Sequence, residues 1–416
     1  MALPRLAVVT THPVQYYAPL FRRLAERGEV DPHVFYGWRG ASDTVALDRG
    51  FGTSFAWDVP LLDGYAHSFV ENTSDDPGTH HFRGIDGPGL VESVRAWGPD
   101  AVLVIGWNYA SHLRALRAFA GRVPVLFRGD STLVDERPSL GGRARALARR
   151  LALRWVYGHV DHALYVGQHN RAYFRAHGLD EGQLSWAPHA VDNDRFANPG
   201  GDPEAQALDW RRSLGIGEDD RVAVFVGKLE SKKAPDVVLD AFLSGASGLD
   251  GLAFCGTGPL EERLAETAAG RPDVHFLGFQ NQSRMPIAYR LGDVVALPSR
   301  GPGETWGLAV NEAMACGRAV VVSDRVGCAP DLVTAETGRV VRAGDAVALA
   351  AALASLAAPG VAERAGAAGR DLIAGWTLDE AAARIAGATR QLVGLDPVAG
   401  RAAPTGGLGP DGSQVG

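Results

Sequence analysis

Short apolar runs alternate with longer amphipathic stretches along most of the chain. In the first half the runs are rich in Val, Leu, Ile and aromatic residues, as β-strands are. These strand candidates are 6–10, 31–36, 101–106, 124–128, 163–167 and 184–188. Helical patterns lie between several of them, for example at 90–97 and 111–120. Such alternation is typical of βα units and a parallel sheet.

The alternation restarts after a polar stretch at 192–208, whose Gly, Pro and Asn residues make it the best linker candidate. The later strand candidates are 221–227, 252–256, 273–278, 294–298, 318–324 and 339–341. Helical patterns follow near 234–244 and 259–268, and a final helix is predicted over 376–394. The sequence therefore predicts an α/β protein with two Rossmann-like halves that face each other across a ligand-binding cleft.

Composition narrows the class of protein. The chain has 416 residues, 46% of them hydrophobic and 21% charged, which is ordinary for a globular protein. A formal net charge of −7 argues against a nucleic-acid partner. Three scattered cysteines (Cys255, Cys316, Cys328) indicate neither a disulfide scaffold nor a zinc site. Because no apolar run approaches the ~18 residues of a membrane span, we expect a cytoplasmic enzyme.

Lysine is rare and clustered. Only three of the 41 basic residues are lysine, and Lys228, Lys232 and Lys233 lie together after the strand candidate 221–227. Arginine serves everywhere else, so lysine is expected where a compact ammonium on a flexible stem is preferred to a planar guanidinium. The loop reads G-K-L-E-S-K-K, and Gly227 lets a ligand approach the backbone. We favour phosphate binding over a solvated charge run.

A second Gly-rich loop, 301–307, follows the strand candidate 294–298 and is expected to open a helix that ends near Gly317. The N-terminus of a helix presents free N–H groups and partial positive charge, so a diphosphate can dock there without a metal. Glu304 lies at the mouth of this helix and Glu312 further along it. Because carboxylates repel phosphate, both are expected to accept hydrogen bonds from hydroxyls on either side of it.

These residues carry a family resemblance. Glu304 and Glu312 form an E-x7-E pattern in PSRGPGETWGLAVNEAMACG, preceded by GKLESKKAPDVVLDAF and FLGFQNQSRMPIAYRLGDVVALPS. Together they resemble the nucleotide-sugar half of retaining family 4 glycosyltransferases. The resemblance is specific over 221–345 and extends more weakly through 98–200.

The resemblance implies a GT-B fold, in which two Rossmann-like domains face a central cleft and a last helix crosses back to the first. The corresponding divisions here are an acceptor-side domain at 1–197, a nucleotide-sugar domain at 209–375, a crossover helix at 376–395 and a disordered tail at 397–416.

The resemblance also implies roles for the donor-side residues. Lys228 and Lys233 would hold the donor diphosphate, Glu304 would contact the transferred sugar and Glu312 the ribose. Backbone amides near 306–308 would hold phosphate, and the base would lie near 278–280. The remaining donor-side candidates are Gly227, Gly278, Phe279, Trp306, Gly307 and Leu308.

The acceptor side departs from the family pattern. Many relatives carry a Gly-Gly pair after the first strand, where this chain reads TTHPVQYY, and a histidine after the strand at 124–128, where it reads RGDS. Candidates at strand ends facing the cleft are His12, Gln15, Trp107, Asn108, Arg128 and Asp130. Asp130 is either a member of the reacting centre with Lys233 and Glu304 or only a helix cap.

Two weaker signals concern metals and membranes. Asp192-Asn193-Asp194 imitates a metal-binding DxD, but it lies in the predicted linker, so no metal or other cofactor is expected. The stretch 143–155 sets arginines against Leu147, Leu151 and Trp155 at helical spacing. It is either a helix that contacts a membrane surface or a core helix with a solvated outer face, and the second reading is favoured.

The sequence thus favours a retaining glycosyltransferase that uses a UDP or GDP type sugar, in glycan, lipid-linked or secondary-metabolite (antibiotic) assembly. A degenerate partner subunit and a GT-B phosphorylase or epimerase stay as alternatives. A nicotinamide dehydrogenase is disfavoured because the third glycine and the acidic residue of the dinucleotide fingerprint are missing.

Overall fold

The computed structural model describes residues 2–40, 46–48, 53–136 and 142–396. The predicted disordered tail at 397–416 lies outside the described residues. Two parallel sheets, each covered by helices, make up the described part of the chain. The predicted α/β class with two Rossmann-like halves is confirmed.

The first sheet uses seven of the nine strands in its half. The strands are β1 (Arg5–Thr10), β2 (Asp31–Tyr36), β3 (Ala46–Asp48), β4 (Thr53–Phe55), β5 (Ala66–Phe69), β6 (Ala101–Ile105), β7 (Val125–Arg128), β8 (His162–Tyr165) and β9 (Leu184–Trp186). The sheet order is β5-β2-β1-β6-β7-β8-β9, and all its pairings are parallel. Strands β3 and β4 form a separate antiparallel pair that the sequence analysis did not predict, nor did it predict β5.

Helices and short turns connect these strands. The helices are α1 (Ala18–Glu26), α2 (Leu90–Trp97), α3 (Ala110–Phe119), α4 (Gly142–Tyr157) and α5 (Gln168–Ala176). Single 3-10 turns lie at Phe82–Gly84, Leu133–Asp135 and Glu181–Gln183.

The second sheet has the order β12-β11-β10-β13-β14-β15 and is also parallel. Its strands are β10 (Val222–Val226), β11 (Gly251–Cys255), β12 (Val274–Phe276), β13 (Val294–Leu297), β14 (Ala319–Ser323) and β15 (Gly338–Val341). Every residue of β10, β11, β13 and β14 is buried. Strands covered by helices on both faces bury both sets of side chains, which is why the sequence shows continuous apolar runs here.

The remaining helices follow in chain order. They are α6 (Asn193–Ala197), α7 (Pro203–Ser213), α8 (Pro235–Leu243), α9 (Glu261–Thr267), α10 (Met285–Arg290), α11 (Leu308–Ala315), α12 (Ala329–Leu332), α13 (Ala346–Ala357), α14 (Val361–Ile373) and α15 (Leu378–Leu392). The predicted linker at 192–208 therefore contains α6 and the start of α7. Asp192 and Asp202 cap the starts of these two helices. Both helices pack on helices of the second sheet, α6 against α10 and α11 and α7 against α10. A boundary at 197 would assign α6 to the first domain.

The last helix returns to the first domain. The Thr377 hydroxyl caps α15 by accepting from the Glu380 amide. Leu378, Ala381 and Ile385 then enter the same buried cluster as Leu20 and Phe21 of α1. The crossover helix is thus confirmed, and burial of its apolar face holds it in place.

No single helix in the described ranges is long and apolar enough to cross a membrane. One pair, Ala346–Ala357 with Val361–Leu392, passes that test only when taken together, and it bends by 93°.

A candidate active site between the two sheets

The order of each sheet determines where ligands bind. In the first sheet β1 lies between β2 and β6, and in the second β10 lies between β11 and β13. The winding reverses at β1 and at β10, and crevices open there at the carboxyl ends of the strands. The loops after β1, β6, β10 and β13 border these crevices, and they hold most of the predicted site residues.

Lys233 and Glu304 come together at the crevice of the second sheet. The Lys233 Nζ lies 2.6 Å from the Glu304 Oε2, and the side chains are 19% and 7% exposed. Lys232, the next residue along, instead pairs with Glu230 at 3.3 Å and is 43% exposed. Of this pair of lysines, Lys233 is the one directed into the site, and its remaining N–H donors can reach an anion.

Neighbouring residues fix the two loops against each other. The Ser299 hydroxyl donates to the Glu304 Oε2 at 2.9 Å, and the Arg300 amide donates to the Lys232 carbonyl at 2.8 Å. The Arg300 guanidinium makes a bidentate pair with Asp236 at 3.0 and 2.9 Å. Gly227 has φ +146°, in the region that favours glycine, and the Lys233 methylenes pass 3.9 Å from the place of its missing Cβ. The Lys233 ammonium is thus held in position before any ligand binds.

Helix α11 begins directly after the Gly-rich loop 301–307, as the sequence predicts. Gly307 is its N-cap with φ +97°, so Glu304 precedes the helix and does not lie on its first turn. The amides of the first turn, beginning at Leu308, point away from the helix and suit an anion. The Trp306 side chain is not part of this surface, because it is 3% exposed and its indole N–H donates to the Asn311 Oδ1 at 2.8 Å.

Glu312 is more enclosed than the sequence indicated. It is 3% exposed, and the Tyr289 hydroxyl donates to its Oε2. Its other oxygen, Oε1, is buried and has no hydrogen-bond partner among the described residues. Burial raises the pKa of Glu312 to about 7, although Tyr289, Arg195 and Tyr16 oppose the shift. A buried acceptor without a partner is costly, and the hydroxyl of a ligand would satisfy it.

The backbone near the predicted base site is open. Gly278 has φ +67°, and a Cβ there would meet nothing within 4 Å. Phe279 and Gln280 are half-buried, and the Gln280 side-chain amide donates to the Leu277 carbonyl at 2.7 Å. Contact of this segment with a nucleobase stays a prediction.

The acceptor-side candidates of the first domain border the other crevice, but they differ in exposure. Asn108 is exposed, whereas Gln15 and His12 are half-buried, and His12 packs against Trp38 with ring centroids 5.4 Å apart. Trp107 is partly buried against the core of the first sheet. Asn108, Gln15 and His12 are therefore better placed to meet an acceptor than Trp107.

The structure gives Arg128 a different role from the predicted one. Its side chain is 1% exposed and donates to the carbonyls of Ala187 and Pro188, both at 2.8 Å. The guanidinium thereby fixes the loop after β9, because buried carbonyls need donors. A side chain so enclosed does not present its charge to an acceptor.

Asp130 links the two domains. The Thr305 hydroxyl of the second domain donates to the Asp130 Oδ2 at 2.7 Å, and the His189 Nε2 lies 3.9 Å from the same oxygen. Desolvation raises the pKa of Asp130, but interactions with His189 and Thr305 outweigh it and leave the pKa below its ordinary value. Burial lowers the pKa of His189, against the influence of Asp130. An ionised carboxylate beside a neutral imidazole thus accepts a hydrogen bond from Thr305, the residue that follows Glu304.

Sequence reasoning missed several residues that the fold brings to this site. Thr305 follows Glu304 directly, but nothing in its position signalled a bond to the other domain. His189 lies in the stretch APHAVDNDRF near the end of the first domain, where no pattern singles out a histidine. Tyr16 and Tyr289 reach Glu312 from different domains. Aromatic residues at strand ends and inside helices are more often core residues, so pattern alone does not single them out.

The metal motif considered at 192–194 has a local explanation. The Asp192 side chain accepts from the Arg195 amide at 3.1 Å and caps α6. The adjacent Asn193 side chain donates to the Ile373 carbonyl at 2.9 Å. These contacts account for the conformation of the DND segment.

Comparison with known proteins agrees with this geometry. Residues 220–358 match the family model described as glycosyl transferases group 1. The D-inositol 3-phosphate glycosyltransferases of Mycobacterium tuberculosis and Mycobacterium bovis are 36% identical to this chain over 154 residues. The match covers 35% of this chain, and the chain thus spans 30% of the length of these relatives.

Solved structures of the GT-B fold superpose over nearly the whole chain. Sucrose-phosphate synthase from Thermosynechococcus elongatus has a TM-score of 0.71 at 20% identity, covering 94% of this chain and 99% of that one. HepE from Anabaena, solved with UDP and glucose, has a TM-score of 0.68 at 17% identity, covering 93% and 100%. These likenesses confirm the GT-B fold, and residues 220–358 resemble the glycosyl transferases group 1 family.

Proposed function

We propose that the protein transfers a glycosyl group from a nucleoside diphosphate sugar of the UDP or GDP type to an acceptor, with retention of anomeric configuration. The observation that carries this proposal is the Lys233–Glu304 pair at the crevice of the second sheet, opposite Asp130 of the first. Supporting it, HepE was solved with UDP and glucose, and a trehalose-6-phosphate protein from E. coli with UDP-2-fluoro glucose.

The proposed chemistry needs charge stabilisation more than a nucleophile. The bond between the anomeric carbon and the diphosphate oxygen breaks while a bond to the acceptor oxygen forms on the same face. The acceptor proton passes to the leaving diphosphate. Lys233, Lys228 and the α11 N-terminus stabilise the charge that grows on the leaving group, which is electrostatic catalysis by preorganised groups. No step of this scheme uses a metal or another cofactor.

Glu304 and Glu312 bind hydroxyls in this scheme. Glu304 has Lys233 and Ser299 on one oxygen, Oε2, which leaves its Oε1 for a hydroxyl of the transferred sugar. Glu312 offers its buried Oε1 to the ribose. Because each Glu has a neighbouring donor on its other oxygen, the carboxylates keep their orientation when the ligand leaves.

Thermal unfolding with UDP, GDP, dTDP and ADP tests the donor class. A nucleotide at ~100 Kd stabilises the folded protein by about 2.7 kcal/mol, which is readily measured. We expect UDP or GDP to raise the midpoint in the wild type and in Lys232→Ala, the matched control, but much less in Lys233→Ala. If no nucleotide raises the midpoint, the partner-subunit alternative replaces this proposal; dependence of sugar transfer on inorganic phosphate would instead indicate a phosphorylase.

We further propose that the enzyme is cytoplasmic and contacts a membrane surface through α4. Its described cysteines are free and buried. On α4, Leu147 and Leu151 are each 59% exposed and Trp155 is 50% exposed, spaced at four residues so that they share one face. Exposed arginines flank this face at 145, 149, 150 and 154. Exposed apolar groups beside cations are typical of helices that lie on anionic lipid, which suits a lipid-linked acceptor.

Flotation with lipid vesicles tests this contact. We expect binding to vesicles containing anionic phosphatidylglycerol, weaker binding in high salt, and none to neutral phosphatidylcholine. A Leu147→Ser/Leu151→Ser variant should stay in the unbound fraction, whereas Val347→Ser, which changes an apolar residue 82% exposed on α13, should bind like the wild type. Equal binding by both variants would show that α4 has only a solvated outer face.

A further inference from the structure

The loop between β5 and α2 is closed on itself by hydrogen bonds. The Asn72 side chain donates to the Gly84 carbonyl and accepts from the Asp86 amide, both at 2.9 Å. The Thr73 amide donates to the Asp86 carbonyl and the Gly78 amide to the Gly84 carbonyl, both at 3.0 Å. These bonds close the base of the loop around its tip, so the side chains at the tip are held on a defined framework.

Three potential metal ligands converge at the tip of this loop. The His80 Nε2 lies 2.8 Å from the Asp76 Oδ2, and the His81 Nε2 lies 3.6 Å from the same oxygen. One ligand atom from each residue lies within 4.8 Å of the other two. The side chains of Asp76, His80 and His81 are 61%, 47% and 38% exposed, so an ion can reach them from solvent.

This geometry suits a transition metal. Zinc binds imidazole nitrogen and carboxylate oxygen at about 2.0–2.2 Å, so two ligands of one tetrahedral ion lie roughly 3.3 Å apart. The 2.8 and 3.6 Å spacings observed at the loop tip bracket that value, and on binding the ion His81 would exchange the 2.9 Å contact of its Nε2 with the Asp76 carbonyl oxygen for the metal. Two imidazoles favour Zn²⁺, Co²⁺ or Ni²⁺ over Mg²⁺ and Ca²⁺, which prefer all-oxygen sites. Three protein ligands leave a coordination position for water or an added group.

The loop lies beside the acceptor-side crevice. The Tyr109 hydroxyl donates to the Thr79 carbonyl at 3.3 Å, and the Ser111 hydroxyl donates to the Ile85 carbonyl at 3.0 Å. Tyr109 directly follows the acceptor-side candidates Trp107 and Asn108. An ion at the loop tip would therefore stiffen the segment next to the place where the acceptor is expected, away from the Lys233–Glu304 pair.

We propose that Asp76, His80 and His81 form a binding site for one divalent transition-metal ion, separate from the donor site. The site orders the β5–α2 loop and is not required for charge stabilisation of the leaving group. Because its ligands must be deprotonated, binding is expected at neutral pH and weakens in acid.

Titration of chelator-treated protein with Co²⁺ and Zn²⁺, without nucleotide or acceptor, tests the proposal. We expect one Co²⁺ per chain, detected by its visible absorption, and displacement by Zn²⁺. His80→Ala, His81→Ala and Asp76→Asn should each weaken binding at least ~10-fold, since even outer-sphere partners cost that much. The controls are Asp75→Asn, the adjacent exposed carboxylate, and His159→Ala, a histidine elsewhere on the surface; both should bind like the wild type.

Two results would overturn the proposal. One is the absence of one-to-one binding at neutral pH. The other is binding that survives in a His80→Ala/His81→Ala chain, because the ion would then be held elsewhere. All these side chains are on the surface, so the variants should fold, which circular dichroism verifies. The titration uses no sugar nucleotide, so its outcome is independent of whether the protein is a transferase.

Discussion

Replacing Lys233 by alanine separates an observed role of its ammonium from a proposed one. Lys233 neutralises Glu304, whose side chain is 7% exposed, and we propose that it also holds the donor diphosphate. Removing one partner of an enclosed pair leaves an uncompensated charge. Because Ser299 still donates to Glu304 and Lys233 is itself partly exposed, we expect a loss of about 1–3 kcal/mol in the free energy of unfolding. Lys232→Ala disrupts only an exposed pair and should cost less than ~1 kcal/mol.

A second substitution distinguishes pairing from phosphate binding. In Lys233→Ala/Glu304→Gln the unpaired charge is gone, so most of the lost stability should return. Affinity for the nucleoside diphosphate should not return, because the cation proposed to bind the phosphate is still missing. Glu304→Gln alone should bind the diphosphate at least as well as the wild type, since it removes a negative charge near phosphate.

The assays are urea unfolding, calorimetric titration with the stabilising nucleotide, and steady-state transfer. Transfer by Lys233→Ala should lose ~10²-fold or more in kcat/KM, the usual effect of removing one preorganised charge. The reasoning is refuted if the double variant binds nucleotide like the wild type. Lys233 would then act only as the partner of Glu304.

Three further predictions concern burial and domain closure. Thr305→Val removes the hydrogen bond to Asp130 and should lower kcat several-fold, with nucleotide-induced stabilisation unchanged; loss of that stabilisation would contradict it. Gly167 has an extended backbone that alanine also adopts, but the Cβ of Gly167→Ala would clash with the Trp306 ring of the other domain. Small-angle scattering should therefore show a more open molecule, and an unchanged profile would argue against the contact. Burial raises the pKa of Glu312 from 4.5 to about 7, so between these pH values the folded state binds a proton that the unfolded state has lost. The free energy of unfolding should therefore fall by about 3 kcal/mol as pH rises from 4.5 through 7. Urea titrations at several pH values should show this dependence in the wild type and not in Glu312→Gln.

The sequence predicted the sheets well because both strands and site loops follow local rules. Apolar runs such as 222–226 are buried on both faces, so strand positions were found to within one or two residues. The short strands β3, β4 and β5 lack such runs and were missed. The linker prediction at 192–208 was wrong in part, because polar residues there cap helices as Asp192 and Asp202 do.

The donor-side residues could also be predicted from the sequence, because they lie in two loops that follow the neighbouring strands β10 and β13. The unusual clustering of lysine drew attention to Lys233, and the structure directs that residue to Glu304. The roles of the acceptor-side residues were harder to predict from the sequence, because these residues contact segments that lie far away along the chain. Arg128 was chosen for its place at a strand end, yet it serves the carbonyls of Ala187 and Pro188, which no local pattern reveals.

The two domains are held in a closed arrangement by polar contacts and by apolar packing, in which the Trp306 ring lies against Gly167 and His189. Besides the Thr305–Asp130 bond, the Gln168 amide donates to the Asp331 carboxylate at 3.1 Å, and the Arg325 guanidinium donates to the Val134 carbonyl at 2.8 Å. Each such bond contributes only ~1 kcal/mol net, so the polar contacts by themselves oppose opening only weakly.

Opening is also necessary for the proposed function. Glu312 is enclosed by Tyr289 of its own domain and Tyr16 of the other, so a ribose cannot reach its Oε1 while the domains are closed. Nucleotide binding therefore has to displace Tyr16 from Glu312, and closure over the ligand has to re-form the Thr305–Asp130 bond. The same contacts that bring Asp130 to the donor site thus govern release of the nucleotide. For this reason, substitutions that weaken closure, such as Thr305→Val, should speed nucleotide association and release alike, which leaves the affinity unchanged, while they slow the transfer step.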